Sequence, residues 1–423
     1  MTAPDLTHTG PLWRDRRFAT YWSGQTVSQL GDRVSELALP LIAVTTLHAS
    51  PAEVGVLTAA IWAPNLLSLV VGAWVDHQRR KKQLLVVANL IQAAAVAVLP
   101  VAHVVGFMSM GLLYAVALVL GAGGVLYQTS YPPFFVRLVR REQYLQANSL
   151  LSATRSASFI AGPALGGLLI QAVTAPVAMV VDAVSFLASA LAIGSVRVEE
   201  PPVERAAESM GVWRRSVEGL RFLRHHPYLR ATLGCSTVVN LFNFVGSAVI
   251  ILFASRSLGL DPGQIGLAFG IGAIGGLVGA VFASRFAQRV GPGVAGVVGA
   301  VVFSAPLAFF PLAGGPDWVK IAVLAAVEFV SSVGVMLYDI NVNSIQTAVT
   351  PDRMRSRSAG AYATVNYGVR PLGALLGGLM AEWVGVPTTL VVAGVGGCLG
   401  ILWLWRSPVV RIRRVEDLEP VEV

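Results

Sequence analysis

The stretch Gly166-Gly167-Leu-Leu-Ile-Gln-Ala-Val-Thr-Ala-Pro176-Val-Ala-Met-Val180-Val181 returns 211 residues later as Gly377-Gly378-Leu-Met-Ala-Glu-Trp-Val-Gly-Val-Pro387-Thr-Thr-Leu-Val391-Val392. Because a single offset also relates matches in other apolar segments, the sequence predicts two copies of one membrane-embedded unit. A protein built in this way has a natural ligand site between its copies, which indicates a transporter. The other matches at this offset pair Pro51 with Pro262, Gly55 with Gly266 and Tyr127 with Tyr338.

Apolar runs long enough to cross a bilayer fill most of the 423 residues, of which 55% are hydrophobic and only 13% charged. Each crossing helix needs about 20 apolar residues, and these runs are continuous rather than alternating as in a membrane β-barrel. We therefore predict an all-α polytopic membrane protein with twelve transmembrane helices in two pseudo-symmetric six-helix bundles. The predicted spans are 19–47, 53–75, 84–105, 108–131, 147–173, 176–195, 231–255, 263–284, 292–314, 318–346, 359–384 and 387–406.

Polar segments divide the chain further. A run of arginines mixed with apolar residues at near-helical spacing follows the sixth span and predicts an amphipathic helix on the membrane surface. About 30 residues are too few to bury a separate core, so this segment is expected to tether the two bundles. The predicted regions are an N-terminal tail (1–18), an N-terminal bundle (19–195), an amphipathic linker (196–230), a C-terminal bundle (231–406) and a C-terminal tail (407–423).

The distribution of basic residues predicts the topology. The chain has 31 Lys and Arg against 23 Asp and Glu, and most of the basic residues precede the first span, follow even-numbered spans or lie in the linker. By the positive-inside rule, both termini are expected in the cytoplasm. The excess of arginine over lysine is typical of GC-rich bacterial genomes, so we expect the bacterial cytoplasmic membrane. A polar start rich in arginine argues against a cleavable signal peptide, and nothing in this charge pattern indicates nucleic-acid binding.

Enzyme chemistry has no signature in the sequence. Cys235 and Cys398 fall in spans of opposite halves, and two thiols make no metal-site spacing. A phosphate-binding glycine loop and a nucleophile elbow are both lacking. We expect no enzymatic activity, no cofactor and no metal site, so uphill transport would have to use an ion gradient.

The loop after the second span reads Gly72-Ala-Trp-Val-Asp76-His-Gln-Arg-Arg80-Lys81-Lys82. It resembles the signature loop of the major facilitator superfamily at Gly72, Asp76, Arg80 and Lys81, and departs from it at His77 and Arg79. Asp76 lies at the end of its own helix, where the dipole disfavours a negative charge, so it needs a partner. The resemblance implies that this partner is the start of the eleventh span, Ser356-Arg357-Ser358, as a gating latch. The alternative is a solvated charge run that only sets topology.

The fifth span contains Gly162-Pro163-Ala-Leu-Gly166-Gly167, whose small residues allow close helix packing and whose proline bends the helix. This run resembles the antiporter motif of the superfamily, which implies export. It departs from the pattern upstream, where Ser149 and Ser158 replace glycines.

Four shorter runs are similar to the drug:proton antiporter branch of macrolide-efflux and enterobactin-exporter proteins. That branch implies efflux of an amphipathic small molecule, a drug, antibiotic or siderophore-like compound, in exchange for protons by a monomer. The alternatives are a proton-coupled importer of the same fold and a non-transporting membrane sensor. The runs are Ser28-Gln-Leu-Gly-Asp32, Ala147-Asn-Ser-Leu150, Asp182-Ala-Val-Ser-Phe186 and Gly219-Leu-Arg-Phe-Leu223.

Ionisable side chains within spans are costly in a bilayer, so each one is a functional candidate. Asp32 lies roughly 21 Å along the first span, and Glu36 follows one turn later on the same face. The offset places neutral Asn243 opposite Asp32, so this acid belongs to one half only. We predict Asp32 as a proton-coupling residue, with an ion pair to Arg155 or Arg370 as the structural alternative, and Glu36 as a further proton-coupling candidate.

The second half supplies two more acids. Glu328 lies near the middle of the tenth span and is the second proton-site candidate. Asp339 is a further proton-coupling candidate, with an inner gate or the helix end as its alternative roles. Asp182 is expected to make a local hydrogen bond. The fourth span lacks the arginine that many drug antiporters carry, so Arg155 is the candidate replacement. Predicted cavity residues, which could alternatively be packing residues, are Gln29, Tyr127, Arg155, Asn240, Asn243, Tyr338 and Arg370.

Overall fold

The computed structural model describes residues 12–198 and 212–418, and throughout these two ranges the regular structure is helical. Twelve long segments, called the first to twelfth helices below, occupy the predicted spans, and a shorter linker helix covers Val212–His225. The twelve are Arg16–Leu41 (continued to Thr46), Pro51–His77, Lys81–Val105, Met110–Leu138, Tyr144–Val173, Ala175–Ser195, Pro227–Leu252 (continued to Ser257), Pro262–Val290, Pro292–Leu312, Asp317–Val349, Arg355–Val384 and Val386–Trp405.

Ten of the described segments are long and apolar enough to cross a membrane. The first and eleventh helices are equally long but fall outside this group, because charged and polar side chains lower their mean hydropathy. Asp32, Arg33 and Glu36 lie in the first, and Asn366 and Arg370 lie in the eleventh. Polar residues in a membrane-embedded helix normally face the interior of a bundle or a water-filled cavity.

The seventh helix begins four residues before the predicted span, at Pro227. Proline is favoured at the first position of a helix, where its missing N–H is not needed. Several other helices also extend past their predicted spans, for example to His77 and Val290. Polar residues continue a helix into water as readily as apolar ones, so hydropathy underestimates these ends.

The repeat detected in the sequence extends to local backbone structure. The second helix starts with a capping box, in which the Ser50 backbone N–H donates to Glu53 at 2.7 Å. The eighth helix starts 211 residues later with Asp261 donating to Gln264 at 2.9 Å. Both boxes tie down the free N–H groups of a helix start with different residue types. The same local geometry has therefore been kept while the residues changed.

The two halves meet along two glycine contacts related by the same offset. A Cβ added to Gly167 would lie 2.9 Å from the Cα of Gly266, and one added to Gly55 would lie 2.8 Å from the Cα of Gly378. The fifth helix thus packs on the eighth, and the second on the eleventh, backbone against backbone. Both contacts lie toward the membrane face opposite the one where the first helix begins and the twelfth ends. We call these faces the closed side and the terminal side.

Further contacts between the halves lie on the closed side. The Arg256 guanidinium donates to the Val44 carbonyl at 3.0 Å, and the Ala52 N–H donates to Glu382 at 3.4 Å. On the terminal side, Arg357 of the eleventh helix pairs with Glu218 of the linker helix at 2.7 Å. Leu223 of the linker helix is buried beside it, so this helix packs on the C-terminal bundle.

Candidate functional site

A cavity between the two halves extends toward the terminal side and has two parts. The part walled by the N-terminal bundle has a volume of about 610 Å³, and the part walled by the C-terminal bundle has a volume of about 570 Å³. Tyr367 of the eleventh helix lines both parts. The C-terminal part reaches Leu223, Thr350 and Arg355 at the terminal side, whereas the glycine contacts block the opposite end.

All of the predicted cavity residues line this space. Polar and aromatic side chains alternate around both parts, which suits a ligand with an apolar body and polar groups. Of the predicted acids, Asp32 lines the N-terminal part and Asp339 the C-terminal part. The remaining lining residues from the sequence analysis are Gln29, Tyr127 and Arg155 in the first part and Asn240, Asn243, Tyr338 and Arg370 in the second.

A pair of tyrosines occupies equivalent positions in the two parts. Tyr127 donates its hydroxyl proton to the Gln25 side chain. Its counterpart Tyr338 is hydrogen-bonded to Ser236 at 2.6 Å, and Ser236 lies at the same offset from Gln25. The first of these hydrogen bonds connects the fourth helix to the first, and the second connects the tenth helix to the seventh. The neutral framework of the cavity is therefore pseudo-symmetric.

The charges of the cavity are not symmetric. Among the described residues, Asp32 makes no ion pair, and neither Arg155 nor Arg370 supplies the one considered in the sequence analysis. Its neighbour Arg33 instead pairs with Glu36 at 2.6 Å and lies 5.2 Å from the ring centre of Phe159. Glu36 thus has its own partner, whereas Asp32 remains accessible from the cavity.

Glu328 does not line the main cavity. It lines a separate cavity of about 220 Å³, which shares Asn243 with the C-terminal part and also borders Phe159 of the fifth helix. Gly272 of the eighth helix packs against the backbone of Glu328, with 3.2 Å from an added Cβ to its carbonyl carbon. Glu328 is therefore turned toward the eighth helix, and its role as a proton-site candidate stays a prediction. Asp339, eleven residues along the same helix, lines the main cavity.

Arg370 is enclosed by aromatic rings, an arrangement that the sequence analysis did not anticipate. Its guanidinium lies 4.4 Å from the ring centre of Trp62, 5.1 Å from that of Phe244 and 4.3 Å from that of Tyr367. Its Nε–H is buried and donates to no hydrogen-bond partner among the described residues. The ring faces carry negative charge density, so they stabilise the cation in place of a carboxylate. Trp62 belongs to the N-terminal half, so this contact joins the halves at the cavity.

Asp182, on the sixth helix, is fully buried outside the cavity. Ser35 of the first helix and Ser185 of its own helix donate hydrogen bonds to its carboxylate. Gly31 packs directly against it, since an added Cβ would lie 2.5 Å from its Oδ1. These contacts match the expected local hydrogen bonding and hold the first helix on the sixth.

The glycines of the fifth helix serve two neighbours. A Cβ on Gly162 would lie 2.6 Å from the Cβ of Arg33, and one on Gly166 would lie 3.3 Å from the Cα of Val34. Gly167 faces the eighth helix instead, and the Pro163 carbonyl carbon lies 3.1 Å from the Cβ position of Gly266. The motif therefore positions the charged segment of the first helix and also forms part of the closed side.

The loop motif is not latched in this conformation. Asp76 is exposed and lies 3.9 Å from Lys81, whose ammonium donates to the Val75 carbonyl at 3.1 Å. Arg80 is also exposed. A Cβ on Gly72 would meet only Thr129, at 3.8 Å, so no helix approaches closely there. The expected partner Arg357 is paired with Glu218, and the side chain of Ser356 lies outside the described residues.

Two helical bundles around a cavity that is blocked at one end are the architecture of a membrane transporter. The chain belongs to the Major Facilitator Superfamily, whose family model matches residues 21–370 and 233–419. It is not an enzyme.

Curated relatives of this chain include efflux proteins. The chain is 30% identical to the multidrug efflux pump Tap of Mycobacterium tuberculosis over 372 residues, covering 85% of this chain and 86% of Tap. It is 27% identical to Tap of Mycolicibacterium fortuitum, covering 85% and 88%. The enterobactin exporter EntS of Shigella flexneri is 26% identical, with 92% of each chain covered.

Solved structures share the fold at low sequence identity. The nucleoside transporter NupG is similar with a TM-score of 0.70 at 12% identity, covering 92% of this chain and 99% of NupG. A bacterial homologue of the iron transporter ferroportin, in an inward-facing state, is similar with a TM-score of 0.70 at 15% identity, covering 92% and 99%. These likenesses establish the architecture.

Proposed function

We propose that this protein is a secondary active efflux transporter that exports amphipathic small molecules in exchange for protons. The observation that carries the proposal is an unpaired carboxylate, Asp32, on the wall of a mixed polar and aromatic cavity between the two halves. A carboxylate that gains and loses a proton in such a cavity can couple proton flow to substrate flow, because the two ligands then compete for one site. The efflux activity of the relatives Tap and EntS supports the export direction.

The same proposal assigns the terminal side to the cytoplasm. Basic residues collect at the loops and helix ends on that side, as the positive-inside rule requires of cytoplasmic segments. The cavity of this structure would then be accessible from inside the cell, where an exporter collects its substrate. We propose that the protein acts as a monomer in the bacterial cytoplasmic membrane.

Substrate selection would rest on both parts of the cavity. The N-terminal part offers Asp32 and Arg155, and the C-terminal part offers Asp339 and Arg370 together with the aromatic side chains of Phe244 and Tyr367. A ligand with an extended apolar body and at least one polar or charged group can use the rings and the charges together. This chemistry covers drugs, antibiotics and siderophore-like compounds.

Proton release from inverted membrane vesicles tests the function. Vesicles are energised to an acidic interior, and lipophilic cations, macrolides and siderophores are added one at a time. Substrate-triggered proton efflux is expected from vesicles that contain the protein and not from matched vesicles without it. Substrate uptake by intact cells, driven by an inward proton gradient and without efflux, would instead establish the importer alternative.

A further inference from the structure

A second concave site lies outside the central cavity, on the terminal side. It is a groove of about 830 Å³ between the end of the linker helix, the start of the seventh helix and the end of the twelfth helix. Three arginines line it: Arg224 of the linker helix, Arg230 of the seventh helix and Arg406, which directly follows the twelfth helix. We call this site the basic groove. All its walls belong to the linker helix and the C-terminal bundle.

The basic groove concentrates positive charge without a described counterion. The three arginines are exposed, none forms an ion pair within 12–198 and 212–418, and no acidic side chain of those residues lines the groove. Like charges held in one concave site repel one another and attract an anion. The seventh helix also begins here, at Pro227, and His226 provides no side-chain cap. The positive end of its dipole adds to the attraction.

One wall of the basic groove is apolar and faces the membrane. Trp403 and Leu402 line it, and they are 46% and 54% exposed. Gly234 makes room for the indole, since an added Cβ would lie 2.6 Å from Cε3 of Trp403. Tryptophans near the end of a membrane helix typically mark the level of the lipid headgroups. The charged floor is therefore at headgroup depth and the apolar wall continues toward the hydrocarbon.

We propose that the basic groove binds an anionic phospholipid from the leaflet on the terminal side. The three arginines donate hydrogen bonds to its phosphate oxygens, and an acyl chain lies along Leu402 and Trp403. The apolar wall distinguishes this ligand from a free phosphate, which would need only the charged floor. The bound lipid joins the linker helix to the seventh and twelfth helices, and so holds the tether between the bundles against one of them.

Native mass spectrometry of the full-length protein released from nanodiscs tests this inference. The nanodiscs contain phosphatidylcholine alone or with phosphatidylglycerol or cardiolipin. The doubly substituted variant Arg230→Gln/Arg406→Gln removes two charges from the groove. The matched control Arg285→Gln/Arg289→Gln removes two exposed charges from the end of the eighth helix on the same side.

A retained anionic lipid is expected on the wild type and on the control variant. The groove variant is expected to bind it roughly thirtyfold more weakly, since each arginine near an anionic lipid surface contributes about 1 kcal/mol. Equally weakened lipid binding in both variants would show that general surface charge, and not the groove, accounts for the binding, and would overturn the proposal. Tight binding of inorganic pyrophosphate without any preference for anionic lipid would also overturn it, in favour of a soluble anion. Unchanged thermal unfolding in detergent checks that each variant is folded, and Arg406→Lys supplies a charge-conserving variant if it is not.

Discussion

Gly167 of the fifth helix and Gly266 of the eighth lie so close that neither position has space for a side chain. A Cβ on Gly266 would be 2.9 Å from the Cα of Gly167, and the reverse distance is the same. Any larger residue must push the two halves apart on the closed side. Overpacking of this kind typically costs about 1–3 kcal/mol.

We expect Gly167→Leu to loosen the closed side and to lower transport. Single cysteines introduced near Pro262 should become more reactive toward a membrane-impermeant thiol reagent added from the closed side, on a background in which the two native cysteines are replaced. Gly111→Leu is the control, because no atom lies within 4 Å of the position of its Cβ. Equal reactivity in both variants would mean that the glycine contact does not hold this side shut.

The unpaired state of Asp32 predicts an effect on coupling rather than on folding. Asp32→Asn keeps the size of the side chain and removes its titratable proton, so proton-driven export should be abolished while membrane insertion is unchanged. Glu36→Gln is the comparison, since Glu36 already has a partner in Arg33. Proton release from inverted vesicles measures both variants. Wild-type export by Asp32→Asn under a pH gradient would exclude Asp32 as the coupling residue.

The rings around Arg370 predict a change in ligand preference. Arg370→Met should free Trp62, Phe244 and Tyr367 to contact a cationic ligand and should remove the charge that repels it. Affinity for tetraphenylphosphonium is expected to rise about fivefold, corresponding to a cation–π contribution of about 1 kcal/mol. Radioligand binding to purified protein measures this change. An equal rise in Arg155→Met would show that charge alone, without the rings, accounts for it.

Two acids are expected to use the start of the eleventh helix in different conformations. In this structure Glu218 forms an ion pair with Arg357. Once the terminal side closes, we expect Asp76 to pair with Arg357 instead. Asp76→Asn should therefore slow turnover without weakening substrate binding. Glu218→Gln should change turnover by less than about fivefold, since partly exposed ion pairs contribute at most about 1 kcal/mol. Turnover and equilibrium binding are measured on the same preparations, and unchanged turnover in Asp76→Asn would leave the loop with a topological role only.

His226, between the linker helix and the seventh helix, predicts a dependence of stability on pH. Burial lowers the pKa of its imidazole from the usual 6.5, and its ring nitrogens have no hydrogen-bond partner among the described residues. Because the folded protein then binds the proton less readily than the unfolded chain, stability is full above pH 6.5 and falls as the pH drops below that value. Thermal unfolding of wild type and His226→Phe between pH 7.5 and 5 measures the effect. An equal loss of stability at acidic pH in His226→Phe would assign the pH dependence to another group. The disappearance of that loss in His103→Gln would do the same.

The sequence predicted most of the fold because hydropathy and the 211-residue offset act along the chain. The glycines of the closed side, Gly55, Gly167 and their counterparts, are all matched at this offset in the sequence. Contacts that depend on helix rotation were not predictable in this way. The aromatic enclosure of Arg370 combines three helices from both halves, and Glu328 turns out of the main cavity through its rotation on the tenth helix. A single sequence contains no direct signal for either arrangement.

The two glycine contacts of the closed side also limit how the bundles can move as rigid bodies. Gly55 with Gly378 and Gly167 with Gly266 act as two pivots, related by the pseudo-twofold axis and therefore on opposite sides of it. Sliding or twisting one bundle over the other would separate at least one pivot. While the closed side stays shut, rotation about the line through both keeps each backbone contact nearly intact as the terminal side opens or narrows; opening of the closed side requires both contacts to separate. The hinge axis of this motion therefore passes through four glycines, which are residues without side chains.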